Sequence, residues 1–597
     1  MINCIQKTLA LLCEKSVSVR AFENWLDTFL NFEKLPQKHL FWLDTMQLLC
    51  ERLGHPENSA PCFHVAGSKG KGSVSTMIAC ILEEAGYAVG LYTSPHIADF
   101  RERVSTPHGF FDSSVYDDAA SELMACVSSL GEDSPTRQVT WFELVTLYAF
   151  LCFRRAPVDY AVYEVGMGGR LDATNVVTPR TCCITAIERE HTEYLGDTLE
   201  KIAAEKAGII KAGVPVIVAA QKNAAVRDVF EKKATECGSS CIFVDDLTTF
   251  LEYSYIERNA DSPDATDAEG NLTDTDGNHA DRMSGRRRER RITHSARGCT
   301  FSAASAPTDS ADDDRANGGS VGTGGTIQTR HGRAAPLSNG RMFCNVKSVD
   351  RMWSLPAMRL SFESPLFSRR ITTTLRLLGE AQARNAVQAA LAVKTALPDI
   401  SERAIERGLS RAALPARFEL VSQGASLPTV VYDGAHTVNS IESTIKTLKA
   451  VFPNAPRHAL FACGADKRVD DIAPLFSDAF EQITVTTPGT AKQSDLAGAE
   501  RAFKNAHVPC ECMSDFEAAV RASFARVQSN GAVLLVVGSF YLVADVKKIA
   551  VNLEHTVGKA ALCRRTPRRL AARAARTFIL IFLTKNSCKN SPHTVPF

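Results

Sequence analysis

Short apolar runs rich in β-branched residues recur along two stretches of the chain, separated by segments whose apolar positions fall at helical spacing. In the first stretch the runs are Phe63–Ala66, Ala88–Tyr92, Asp159–Val165, Thr181–Ala186 and Pro215–Ala219; in the second they are Thr429–Tyr432, Ala459–Cys463, Ile483–Thr486 and Ala532–Val537. Strands that are apolar throughout, with no alternation, belong to parallel sheets covered on both faces, and the intervening helices supply the cover. The pattern predicts an α/β protein with two parallel-sheet domains, residues 20–375 and 376–552.

Between the two stretches, over residues 256–340, the sequence turns to Gly, Ser, Thr, Asp and Arg with hardly an aliphatic side chain. Such a segment buries too little apolar surface to offset its ordering entropy, so a disordered insertion is expected, with Arg286–Arg288 and Arg290–Arg291 as solvated charge. Residues 553–597 read as a basic tail, without an acidic side chain after His555. The 597 residues are 45% apolar and 23% charged, a globular balance, and 68 Lys and Arg against 67 Asp and Glu exclude a global field for nucleic acid or a membrane surface. Eighteen cysteines without a C-x-x-C pair suit a reducing compartment. Met1–Lys15 is mixed and amphipathic, unlike a secretory leader, and the run Phe578–Leu583 is too short to span a bilayer. A cytoplasmic protein without nucleic-acid or membrane partners is expected.

The chemistry concentrates at strand ends. Phe63-His-Val-Ala-Gly-Ser-Lys-Gly-Lys-Gly-Ser73 takes a strand into a glycine-rich loop and then into a helical segment over Val74–Glu84. Gly67, Gly70 and Gly72 are expected to let backbone N–H groups turn around phosphate oxygens. Lys71 supplies a point charge, and Ser73 stands where a helix N-terminus favours anions. Gly72 puts this one residue off the common G-x-x-x-x-G-K-[ST] spacing. Thr93-Ser-Pro-His96 follows the next strand. Glu164 ends the third and leads into Gly166-Met-Gly-Gly-Arg-Leu-Asp-Ala-Thr-Asn175, and Glu190-His-Thr-Glu-Tyr-Leu-Gly196 follows the fourth. A carboxylate beside a phosphate loop is where Mg²⁺ is held, although Glu164 alone equally suits a loop cap and His191 alone a structural histidine. In the second stretch Asp433-Gly-Ala-His436 follows a strand, and an Asp there can bond a ribose hydroxyl. Gly464-Ala-Asp-Lys467 and Gly538-Ser-Phe-Tyr541 end later strands and also suit ordinary turns.

In this order the motifs resemble the folylpolyglutamate synthase and dihydrofolate synthase family of the Mur ligase superfamily. The resemblance is carried by Gly67–Ser73, Tyr92–His96 with Phe100–Arg103, Thr140–Glu143, Glu164–Asn175, His191–Gly196 and Glu205–Lys211. It continues through Gln382 with Asn385-Ala386, Pro415–Glu419, Asp433–His436 and Gly538–Leu542. It implies a P-loop ATPase domain followed by a Rossmann-like glutamate ligase domain. The implied reaction is ATP-dependent addition of L-glutamate to folate and to dihydropteroate through an acyl phosphate. The alternatives are folylpolyglutamate synthesis alone, or an ATP-binding protein that keeps the fold without the activity. By the same resemblance Gly70, Lys71, Gly72, Ser73, Asn385, Arg417 and Asp433 hold ATP. Ser94, Glu164, His191 and Lys206 hold two Mg²⁺ ions, with Lys206 as a carbamate. Lys71, His191, Lys206 and His436 form the catalytic set, and Thr140, Trp141, Phe142, Glu143, Leu171, Asp172 and Ala173 line the pterin pocket. A monomer acting on small molecules is expected. The chain departs from the family pattern at Ser68-Lys69, where Thr-Asn is usual, at Glu190 for Asp, at Ala416 for Gly and at Thr437-Val438 for Asn-Pro.

Overall fold

The computed structural model describes residues 17–31, 43–130, 139–256, 356–422, 428–465, 467–488 and 494–551, together with the backbone of 290–292. The expected insertion, apart from Ile256 and those three residues, extends through 340 outside the described residues, as do the tail 553–597 and Met1–Lys15.

The first sheet has seven strands: β1 Cys62–Ala66, β2 Val89–Tyr92, β3 Val104–Ser105, β4 Tyr160–Glu164, β5 Thr181–Ile184, β6 Val216–Val218 and β7 Cys241–Phe243. Their order is β3-β2-β4-β1-β5-β6-β7, parallel throughout except for the edge strand β3. All five expected strands are present. β4 and β5 are consecutive in the chain yet flank β1 on opposite sides, so their following loops diverge and leave a crevice above the carboxyl end of β1. Open parallel sheets bind ligands at such a point.

A second sheet follows, made of β8 Phe250–Ile256, β9 Arg290–Ile292, β10 Ala357–Glu363 and β11 Ile371–Leu375, antiparallel in the order β11-β10-β8-β9. Uniform apolarity does not single these strands out, because β10 and β11 alternate buried and exposed positions as one-sided strands do. The third sheet contains β12 Glu419–Ser422, β13 Thr429–Asp433, β14 Arg457–Phe461, β15 Gln482–Val485, β16 Glu511–Cys512 and β17 Val533–Val537, ordered β12-β13-β17-β14-β15-β16. Only β12 runs antiparallel.

Two helices beyond the expected boundary at 375/376 contact the first domain. The helices Glu380–Ala396 and Glu402–Arg411 pack on the first domain, against the helix Lys71–Glu84. Gln388, buried in the first of them, donates from Nε2 to the carbonyls of Ile184 in β5 and Ile217 in β6, each at 2.9 Å. The cause lies in the helix Lys71–Glu84, which is buried continuously from Gly72 to Leu82 and therefore needs a second layer on the face turned away from the sheet. One apolar core runs from Phe63 and Ile78 through Leu391 to Val431 and Phe461.

No helix among the described residues is long and apolar enough to cross a membrane, and the cysteines among them are free.

Candidate active site

Strands β1, β2, β4 and β5 end side by side, and their loops form one wall of a cleft of about 1590 Å³ whose other wall is the second domain. The helix after β1 begins at Lys71, three residues before the apolar pattern suggested, and the N–H groups of its first turn have no intrahelical partner. Gly70 precedes it with φ +96°, and a Cβ there would stand 2.7 Å from Asn385 Oδ1. The left-handed backbone requires glycine, and a Cβ there would push the Asn385 side chain aside. Lys71 Nζ donates to the Gly67 carbonyl at 3.1 Å.

The N–H groups of Ser68 and Lys69 do not turn toward the cleft, since both donate to the carbonyl of Ala186, at 3.0 and 3.3 Å. Ser68 Oγ donates to the Glu188 carbonyl at 3.0 Å. The first half of the loop is thus strapped to the segment after β5, and only its second half presents a helix N-terminus.

Of the expected metal ligands, Ser94 and Glu164 meet directly, with the Ser94 N–H donating to Glu164 Oε2 at 3.1 Å. Glu164 is buried, which raises its pKa, against the opposing pull of Lys71 and the Ser94 N–H. His191 follows β5 with a left-handed backbone, and burial lowers its pKa against the pull of Glu190. Lys206 is 1% exposed; its Nζ donates to the Gly67 carbonyl at 2.9 Å and to Glu190 Oε1 at 3.1 Å. Burial lowers this amine to about 8, although Glu190 pulls the other way. Burial also opposes ionisation of Glu190, but Lys71, Lys206, Lys69 and His191 outweigh it and hold the carboxyl at about 2. No three His, Cys, Asp or Glu among the described residues cluster as a ready metal cage. The donors that are present fit a hard cation, because Mg²⁺ takes one or two carboxylates and completes its shell with phosphate oxygens and water.

The second domain contributes Arg417, Asp433 and His436. Arg417 lies over the Phe540 ring at 4.6 Å, and His436 meets the same ring edge-on at 6.0 Å. Phe540 was not singled out from the sequence as a site residue; its only signal was its place in the strand-end motif Gly538–Tyr541. Asp433 is largely occupied internally. Its Oδ1 accepts from the Ala435 N–H at 2.9 Å, while Oδ2 accepts from the Phe418 N–H at 3.2 Å and from Thr444 Oγ1 at 3.0 Å. Burial raises its pKa against Arg417, and each oxygen has limited room for a further donor. Burial, then Lys69, brings His436 down to about 3, so it is neutral near pH 7. Its Nδ1 lies 2.8 Å from the Gly434 carbonyl and donates to it in the tautomer that leaves Nε2 as the acceptor.

Of the residues expected to hold a pterin, Thr140, Phe142, Glu143, Leu171, Asp172 and Ala173 line the same cleft, as do Pro95 and Met167. Glu143 and Asp172 also serve the scaffold. Glu143 closes a capping box with Thr140 at the start of the helix Trp141–Arg155, and Asp172 accepts from Thr174 and from the Met167 N–H. Trp141 lies away from the lining, with the buried Arg103 guanidinium 4.8 Å from its ring centre.

Comparison with known proteins agrees with this geometry. The Mur ligase middle domain matches residues 65–244 and the Mur ligase glutamate ligase domain matches residues 416–540, together just over half of the chain. The chain is 27% identical over 533 residues to the dihydrofolate synthase/folylpolyglutamate synthase of Bacillus subtilis, covering 88% of this chain and 97% of that protein. It is 28% identical over 506 residues to the folylpolyglutamate synthase of Lacticaseibacillus casei, covering 84% and 92%. The structure of Mycobacterium tuberculosis folylpolyglutamate synthase complexed with ADP and AMPPCP superposes with a TM-score of 0.63 at 21% identity, over 89% of this chain and 98% of that one, and shares the fold. The chain belongs to the folylpolyglutamate synthase/dihydrofolate synthase family of Mur ligases, which are ATP-dependent ligases.

Proposed function

We propose that this protein joins the amino group of L-glutamate to the carboxylate of a folate, and of dihydropteroate, at the expense of ATP. The observation that carries the reading is the single cleft in which the phosphate loop, Asn385 of the covering helix, Arg417 and His436 of the second domain and the apolar slot around Phe142 all meet. The relative named for both activities supports the bifunctional form.

In the proposed reaction a substrate carboxylate oxygen attacks the γ-phosphorus of ATP, and the bond to the β-phosphate oxygen breaks to give an acyl phosphate and ADP. The glutamate amine then attacks the acyl carbon, phosphate leaves, and the amine loses a proton. Lys71 neutralises charge on the phosphate chain, and the main-chain N–H groups at the start of its helix do the same. Closure of the cleft by the second domain keeps water from the acyl phosphate. His436, neutral and with Nε2 as an acceptor, suits an uncharged amine. Ser94, Glu164, His191 and a Lys206 carbamate would hold Mg²⁺, which supplies charge neutralisation at the transferring phosphoryl group. The lowered pKa of Lys206 supports that modification, because CO₂ adds to a neutral amine. The proposed working unit is a monomer acting in the cytoplasm.

The test is ADP release from the purified protein with ATP, Mg²⁺ and glutamate, run with dihydropteroate and separately with tetrahydrofolate, with products identified by mass. Turnover with both establishes the bifunctional enzyme and turnover with one names the activity. Silence with both refutes the proposal.

A further inference from the structure

We propose that Lys69 is an additional contact for the phosphate chain of the nucleotide, held in position by Glu190. The inference rests on the ATP-ligase reading above and adds a residue to it.

Three observations lead there. The main-chain donors of Ser68 and Lys69 are consumed by Ala186, so the first half of the loop offers phosphate its side chains only. The Lys69 side chain lines the cleft and is about one-quarter exposed (26%), whereas Lys206 is 1% exposed. Glu190 divides its carboxylate unequally between them. Oε1 is hydrogen-bonded to Lys206 at 3.1 Å, while Oε2 stands 3.7 Å from Lys69 Nζ, beyond hydrogen-bond length. The Lys69 contact is therefore the one open to exchange.

The charges around Lys69 point the same way. Lys71 and Arg417, from opposite walls of the cleft, act on it as like charges, with Glu190 and Glu188 as the opposing carboxylates. Bringing cations from two domains into one cleft is unfavourable until an anion enters, and such a cleft concentrates anionic ligands. A lysine meets phosphate as a flexible point charge and needs no fixed geometry, which suits a side chain that has to change partners. On nucleotide binding, phosphate oxygens take the place of Glu190 Oε2 at Lys69. Lys69 and Glu190 thus stand within ion-pair distance and act as a pair.

Calorimetric titration with ATP at several salt concentrations tests this in the full chain, using the wild type, Lys69→Met, Lys69→Arg and the double variant Lys69→Met with Glu190→Gln. The expected result is about a tenfold loss of ATP affinity in Lys69→Met with a flatter salt dependence, and near-complete recovery in Lys69→Arg. ATP affinity within twofold of wild type in Lys69→Met overturns the proposal. So does a pattern in which that variant only loses thermal stability and Glu190→Gln restores it, because Lys69 would then serve Glu190 alone. Absence of ATP binding by the wild type would instead overturn the ligase reading.

Discussion

The ammonium of Lys206 and the main-chain carbonyl of Gly67, 139 residues apart in the chain, are joined by a hydrogen bond of 2.9 Å. The same carbonyl accepts from Lys71 at 3.1 Å. The helix Leu199–Ala207 is thereby fastened to the phosphate loop where β1 ends. Its approach depends on Gly169, where a Cβ would stand 2.8 Å from the Glu205 carbonyl and 3.0 Å from Lys206 Cα.

Lys206→Ala removes the amine that would carry the proposed oxygen ligand. Ligation is expected to fall by about 100-fold or more while the fold persists. Turnover and the circular-dichroism melt, recorded side by side, check this. Full activity in the variant without an added small carboxylate would show the metal assignment to be wrong.

Gly70→Ala places a Cβ at φ +96° and against Asn385 Oδ1. We expect about 1–2 kcal/mol of lost stability and a roughly tenfold weaker ATP affinity, because Asn385 is pushed off the loop. Unchanged affinity in a titration would mean that Asn385 is not a nucleotide contact.

Gln388→Ala removes both hydrogen bonds to β5 and β6 and leaves a cavity under the covering helix. The cost should be about 2–4 kcal/mol, read as a fall in Tm. Asn385 lies one turn away on the same helix, so KM for ATP should rise while the KM values for glutamate and folate stay put.

His64 is buried in β1 with Nε2 2.8 Å from Thr174 Oγ1, and Nδ1 has no partner. Burial, then the charge of Lys211, lowers its pKa from 6.5 to about 3. Between those values the unfolded chain binds the proton and the folded chain does not, so stability falls as pH drops through that window. From pH 7 to pH 5 the His64 share is about 2 kcal/mol. His64→Gln should therefore lose less Tm than wild type over this interval, and equal losses in the two proteins would contradict the assignment.

Much of this was legible before the structure. The runs at Phe63–Ala66, Thr181–Ala186 and Ala532–Val537 are strands because a strand buried on both faces has to be apolar throughout, which is a local property. The glycines of the phosphate loop were legible for the same reason, since a left-handed backbone at Gly70 is recorded in the residue type. The alternating strands β10 and β11 and the packing of the helix Glu380–Ala396 on the first sheet were not. One-sided strands lack that uniform signature, and nothing near Gln388 in the sequence says that its helix covers β5 and β6.

By itself the sequence determined two α/β domains, the phosphate loop, and which strand-end loops carry Lys71, Ser94, Glu164 and His191, because these follow from periodicity and from residue types at strand ends. Only the tertiary structure decided that Lys69, Glu190 and Lys206 form one charged chain on the Gly67 carbonyl, that Glu143 and Asp172 also serve as caps, and that Phe540 stands between Arg417 and His436. The reason is physical: charge pairing, burial and ring packing are set by distances between segments far apart in the chain, and those distances exist only once the sheets have assembled.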